Sequence, residues 1–243
     1  MTIKKSNKNL TKISSDNKNI RRVYKGSQLV YVTKVQTTEN KTFNVAGTYS
    51  FSLPKELLSL TITVVGGGGG GAGSAFYHGN KWTGRAGASG AVCKSIFTGN
   101  EAKALNLQTL TCIVGAGGAG AGGEMSGGPI SSGGKRGAYG GTSSCTGLNI
   151  NMQATGGQGG MSGWYDNGHA AAGGTATGGN NLNKNGYSVP YGSVSVFSAT
   201  PSAYDETTSG YGAGGWQAGY GGAIYSGIVG CVIIDYTYMK PIG

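Results

Sequence analysis

Forty-seven of the chain's fifty glycines fall between Gly66 and Gly230, in runs such as Gly115-Ala-Gly-Gly-Ala-Gly-Ala-Gly-Gly123. Inside a helix, each glycine costs roughly 0.5–1 kcal/mol relative to alanine. Runs of this kind therefore have no local reason to be helical, and they carry little side chain from which to build a core. Only two states remain for them: a solvated low-complexity chain, or a structure packed by its backbone. Collagen is excluded, because glycine does not recur strictly every third residue and the chain has only five prolines.

Several runs do hold glycines three apart: Gly117, Gly120 and Gly123; Gly156 and Gly159; Gly157, Gly160 and Gly163; Gly212 and Gly215; Gly219 and Gly222. A three-residue period fits the extended, left-handed polyproline II type of helix, which makes no internal hydrogen bonds. Its amides and carbonyls must find partners elsewhere, and glycine at the contacts lets such helices approach and bond one another. The runs occupy residues 66–88, 115–141, 156–186 and 208–223, each framed by β-prone segments that would hold its ends. Packed helices are therefore expected.

The framing segments alternate polar and apolar residues, as strands do. Phe43 and Val45, then Tyr49, Phe51 and Leu53, form candidate inward sets, and Leu58, Leu60, Ile62 and Val64 form another. Further strands are expected at about 90–98, 109–114, 148–154 and 228–236, with residues 100–107 as the one short helix candidate. The fold class that follows is all-β: an antiparallel sandwich with long glycine-rich insertions.

Charge divides the chain. Residues 1–41 hold ten Lys/Arg against Asp16 and Glu39 (+8), whereas residues 42–243 hold nine against seven (+2). Residues 1–40 thus read as a basic arm, residues 41–237 as the glycine-rich body, and residues 238–243 as a short tail. Within the arm, residues 1–19 are polar. Residues 20–32 form a docking hairpin turning at Lys25-Gly26-Ser27, with Val23, Tyr24, Leu29, Val30 and Tyr31 as its apolar residues, and residues 33–41 read as a linker. Two strands alone are marginal in water, so the hairpin needs a partner surface. A solvated or partner-docking arm is favoured over specific nucleic-acid binding, because the Lys and Asn residues are scattered without a recognition motif. No secretory signal and no bilayer-length apolar run is present, giving the expectation of a soluble chain made in a cytoplasm, with no membrane insertion.

Val64-Val65 followed by Gly66 to Gly73 formally satisfies GxGxxG after a strand. A dinucleotide site needs a helix next and an acidic residue about twenty positions on. The next acid is Glu101, so no cofactor is expected. The acid/base inventory is thin: Asp166 with His169, or Asp205 with Glu206, stand in loops without diagnostic spacing, and the chain reads as a non-enzyme. Cys93, Cys112, Cys145 and Cys231 fit no metal pattern and read as reduced core thiols. All three tryptophans and both histidines lie in glycine insertions, among many tyrosines. Such rings either contact a sugar or protein surface or roof the glycine helices against water.

The string Thr42-Phe-Asn-Val-Ala-Gly-Thr-Tyr-Ser-Phe-Ser-Leu-Pro54, followed by Leu60-Thr-Ile-Thr-Val-Val-Gly-Gly-Gly-Gly-Gly-Gly71, resembles the opening of the glycine-rich domain in tail and fibre proteins of tailed bacteriophages. Gly90-Ala-Val-Cys-Lys94, Cys112-Ile-Val-Gly-Ala-Gly-Gly118, Ala154-Thr-Gly-Gly-Gln-Gly-Gly160, Gly219-Tyr-Gly-Gly222 and Gly230-Cys-Val-Ile-Ile-Asp-Tyr236 follow in order, so the resemblance spans about residues 41–237. It implies a β-sandwich carrying polyglycine II helices, related to tail-tip adhesins whose inter-helix loops contact the host.

The expected function is thus a virion tail or tail-fibre protein, a receptor-binding adhesin present in several copies. Residues 1–40 would hold it to other tail proteins, and its receptor would be a polysaccharide or an outer-membrane protein. Tyr77, His78, Trp82, Arg85, Trp164, Tyr165, His169, Trp216 and Tyr220 are the candidate receptor contacts. The alternatives are a structural connector or decoration of the tail without host contact, and a glycine/tyrosine-rich nucleic-acid binder. The 180–209 segment, long and not glycine-dense, matches no contact loop.

Overall fold

The computed structural model describes residues 12–16, 19–25, 28–32, 34–73, 75–77, 80–82, 84–122, 136–161, 170–189, 199–215 and 224–242. Their elements, in chain order, are β1 (Lys12–Asp16), β2 (Asn19–Lys25), β3 (Gln28–Val32), β4 (Lys34–Phe43), β5 (Gly47–Ser52), β6 (Leu57–Val65), β7 (Ala75–Tyr77), β8 (Asn80–Trp82), β9 (Val92–Thr98), α1 (Gly99–Ala104), β10 (Thr109–Val114), β11 (Ser143–Gly147), β12 (Ile150–Ala154), β13 (Ala176–Thr177), β14 (Leu182–Lys184) and β15 (Cys231–Pro241).

Two five-stranded antiparallel sheets, ordered β13-β12-β11-β10-β5 and β14-β9-β6-β15-β4, face one another as a sandwich. Alternation along the strands supplies the core between them: Leu110, Cys112 and Val114 from β10 and Ile150, Met152 and Ala154 from β12 meet Leu60, Ile62, Val64, Val232 and Ile234 from the opposite sheet. The all-β sandwich read from the sequence is the fold observed.

Four local expectations need correction. Leu57, not Leu58, is fully buried. The β6–β15 register shifts where Tyr238 pairs with Leu57 while Thr237 pairs with Ser59, so a bulge at Leu58 reverses the alternation. Val45 is 66% exposed because β4 has ended and the chain is turning into β5. Residues 34–41, read as a linker, are strand: β15 runs through Pro241 and offers β4 a pairing partner from Val232 to Pro241. Residues 34–41 carry no apolar stripe to announce this, because most of them face solvent, whereas Tyr236 and Tyr238 of β15 pack against the core. The same pairing draws residues 238–241, read as a tail, into the sheet.

The N-terminal residues form their own three-stranded antiparallel sheet, β1-β2-β3. The expected hairpin is β2–β3, with Val23 opposite Tyr31 and Tyr24 opposite Leu29; Val30 lies in β3. The structure describes these residues by backbone alone. The strand β1, inside the segment read as a polar tail, adds to the hairpin. The short helix α1 covers part of the expected 100–107 stretch and ends early, with Leu107 at φ 60° closing the turn into β10.

Candidate functional site

Among the described residues, the glycine-dense stretches outside the strands are packed by their backbones and not folded as ordinary sheet. Residues 66–72 form an extended rod whose successive amides donate in rotation to three neighbouring segments. Gly66, Gly69 and Ala72 donate to the carbonyls of Ala91, Ala88 and Arg85. Gly67 and Gly70 donate to Gly141 and Ala138, and Gly68 and Gly71 donate to Ile228 and Tyr225, all at 2.8–3.1 Å. Each partner recurs every third residue, the signature of a threefold polyglycine II helix.

Carbonyls of the same rod accept from three further segments: Gly67 and Gly70 from Gly157 and Gly160, Gly68 and Gly71 from Gly118 and Ala121, and Gly69 from Gly215. Six rods therefore surround the central one, three antiparallel and three parallel. They also bond one another in a closed ring, through pairs such as Gly140 to Gly157, Gly141 to Ala116, Gly227 to Gly118, Ile228 to Ala213, Gly87 to Gly215 and Ala88 to Gln158. Residues 171–175 and 186–189 add a second layer on one side, through Gln158 to Ala172 and Gly186 to Gly174.

This lattice explains the residue choice. A Cβ on Gly67, Gly68, Gly69 or Gly70 would lie within 3 Å of a neighbouring backbone carbonyl. Only hydrogen fits at those positions, which is a packing requirement and not a conformational one. Where a rod faces outward, as at Ala116 and Ala119, a methyl is present and exposed.

Direction is fixed at the root. The strands β6, β10, β12 and β14 run toward the bundle and continue into rods 66–73, 115–122, 155–161 and 185–189, while β9, β11, β13 and β15 receive rods that return. The far ends coincide: Ala72 bonds Arg85, Ala121 bonds Gly71, Gly160 bonds Gly70, Gly215 bonds Gly69, Gly71 bonds Tyr225 and Val189 bonds Ala171. The connections carrying Trp82, Trp164 and Trp216 thus depart from and return to one distal end. At the opposite end of the sandwich, Lys34 of β4 pairs with Pro241, and there the N-terminal arm joins.

Among the candidate contacts, Arg85 opens the first returning rod, half-buried, with its amide donating to Met161 and its carbonyl accepting from Ala72. Tyr77 and Trp82 belong to the small β7–β8 hairpin, where Tyr77 pairs with Asn80 and Ala75 with Trp82, described by backbone alone. His78, Trp164, Tyr165, His169, Trp216 and Tyr220 lie outside the described residues, as does Asp166. The candidate pair Asp205 and Glu206 serves local structure: Asp205 accepts from the Thr207 amide and hydroxyl, and Glu206 takes Lys184 at 3.0 Å and the Tyr187 hydroxyl at 3.2 Å. The Lys184 contact, then that of Tyr187, holds the Glu206 carboxyl below its usual range.

The sequence reading passed over two residues beside the distal end, Arg136 and Tyr139. The Arg136 guanidinium stacks 4.6 Å over the Tyr139 ring, which is 55% exposed. A tyrosine inside a glycine run was the available signal. Among the described residues, no group of three or more His, Cys, Asp or Glu is placed to hold a metal, and no helix is long and apolar enough to cross a membrane.

A family model described as a glycine-rich domain matches residues 42–231. A search of curated proteins finds no match.

Proposed function

The chain belongs to the glycine-rich domain family across residues 42–231, and from that premise we propose that it is a tail or tail-fibre protein of a tailed bacteriophage, serving as a receptor-binding adhesin. The observation that carries this reading is polarity. The basic N-terminal arm joins at one end of the sandwich, while the tryptophan-bearing connections all depart from the other end, beyond a stiff bundle. A threefold extended rod rises about 3.1 Å per residue, so residues 66–72 hold those connections roughly 20 Å beyond the sheets. Their Tyr, Trp, His, Gly and Ser composition suits a polysaccharide or protein surface, since aromatic rings offer contact area at little entropic cost. Residues 1–33, which precede β4, would dock the protein to neighbouring tail subunits.

The test is competition. Excess full-length protein should block attachment of the phage to its host cells, and replacing Trp82, Trp164 and Trp216 with alanine should abolish blocking while leaving the melting midpoint in place. A folded protein that never blocks would instead mark a connector or decoration whose loops face other tail subunits. Nucleic-acid binding through the arm would be revealed by a steep fall in affinity with added salt.

A further inference from the structure

Two cysteines from separate strands meet in the core. Cys112 of β10 and Cys145 of β11 stand directly opposite one another in register, both fully buried, with their Sγ atoms 3.8 Å apart. We propose that Cys112 and Cys145 form an oxidisable pair, which closes into a cross-strand disulfide when the chain meets a low-molecular-weight disulfide. Directly opposed residues of an antiparallel pair have Cα atoms about 4.5–5.5 Å apart, inside the roughly 4.4–6.8 Å range that disulfides span. Closure therefore needs side-chain rotation and a small approach of the Cβ atoms, with no change of register.

The two thiols share one hydrogen bond, in which either can be the donor. Whichever sulfur ionises first is held by that bond, while the bond and burial raise the thiol that keeps its proton. The thiolate of the first to ionise attacks the oxidant's disulfide, forming a mixed disulfide and expelling one thiolate. The second thiol, on losing its proton, then attacks the sulfur of the first and expels the second thiolate. Two electrons pass to the oxidant, and one intramolecular S–S bond replaces two thiols.

The other cysteines lack such a partner. Burial pushes Cys93 up to about 11, and its thiol points to the Gln153 carbonyl at 3.6 Å. Cys231, pushed up to about 12 by burial, packs in a separate cluster with Val65, Val92 and Ala203. The bond would tie together the roots of two rods, since Gly115 follows β10 and residues 136–141 lead into β11. Because β10 and β11 lie inside their sheet, oxidation requires local opening or takes place during folding.

To test this, the full chain is refolded in glutathione disulfide, alkylated and mapped by mass spectrometry without reduction. One bond is expected, Cys112–Cys145, with Cys93 and Cys231 alkylated. The thermal midpoint of the oxidised protein should exceed that of the reduced one, and a reductant should reverse the rise. Four alkylated cysteines after refolding in oxidant would overturn the proposal, and so would a Cys93–Cys145 bond. Cys112→Ser should leave no oxidant-dependent shift in midpoint; if that variant fails to fold, the mapping of the unaltered chain decides alone.

Discussion

Gly157→Ala isolates the packing requirement of the lattice from backbone conformation. Gly157 donates to the Gly67 carbonyl and accepts from the Gly140 amide, each at 2.9 Å, so it bridges the central rod and one neighbour. A Cβ there would lie within 3 Å of the Ala88 and Ser89 carbonyls. Alanine adopts an extended backbone freely, so the cost is steric. To admit the methyl, residues 85–91 must retreat from residues 155–161, whose contact consists of Arg85 to Met161, Ala88 to Gln158 and Ala91 to Thr155. Three such bonds at a net ~1 kcal/mol each, with ~1–3 kcal/mol for overpacking, give about 5 kcal/mol.

For a body of this size, that lowers the melting midpoint by about 10–20 °C. The control is Gly122→Ala, where an added Cβ meets nothing within 4 Å. That change should be neutral, or stabilising by ~0.4–1 kcal/mol through the unfolded chain. Differential scanning calorimetry of both variants reads the difference. Equal midpoints would refute the requirement for glycine at rod contacts, and with it the bundle.

Three further outcomes follow from the sandwich. Removing residues 1–33 should leave the calorimetric midpoint unchanged, whereas removing residues 1–40 takes most of β4 from its pairing with β15 and should lower it by several degrees. Leu57→Ala should cost ~2–5 kcal/mol in a urea titration and Leu58→Ala clearly less, because the bulge sends Leu57 into the core. Tyr236, then Tyr238, then Lys240 hold the Glu39 carboxyl below its ordinary 4.5. A lowered folded value contributes stability above 4.5 that is lost as pH falls through it, so the urea midpoint should drop between about pH 5 and about pH 3 more in the natural chain than in Glu39→Gln.

Much of the fold was legible in the residues themselves. Alternation in 57–65 and 109–114 reveals strands with one buried face, and a three-residue glycine period excludes helix while calling for backbone partners. Both are local properties, fixed by side-chain spacing and by the hydrogen that glycine carries in place of Cβ. Which carbonyl each amide finds is not local. Gly68 bonds Ile228 and Gly67 bonds Gly141, across distances along the chain that no period encodes. Identical glycines also differ in consequence: Gly157 admits nothing larger, while Gly122 admits a methyl. Residues 34–41 of β4, and the strands β11, β13 and β14, were likewise hidden, since short or polar strands become strands only when a partner edge is present. Sequence alone determined that the glycine runs would need backbone partners; the tertiary structure decided which segments meet and gathered their connections at one end, because partner choice depends on where the framing strands stand in the two sheets.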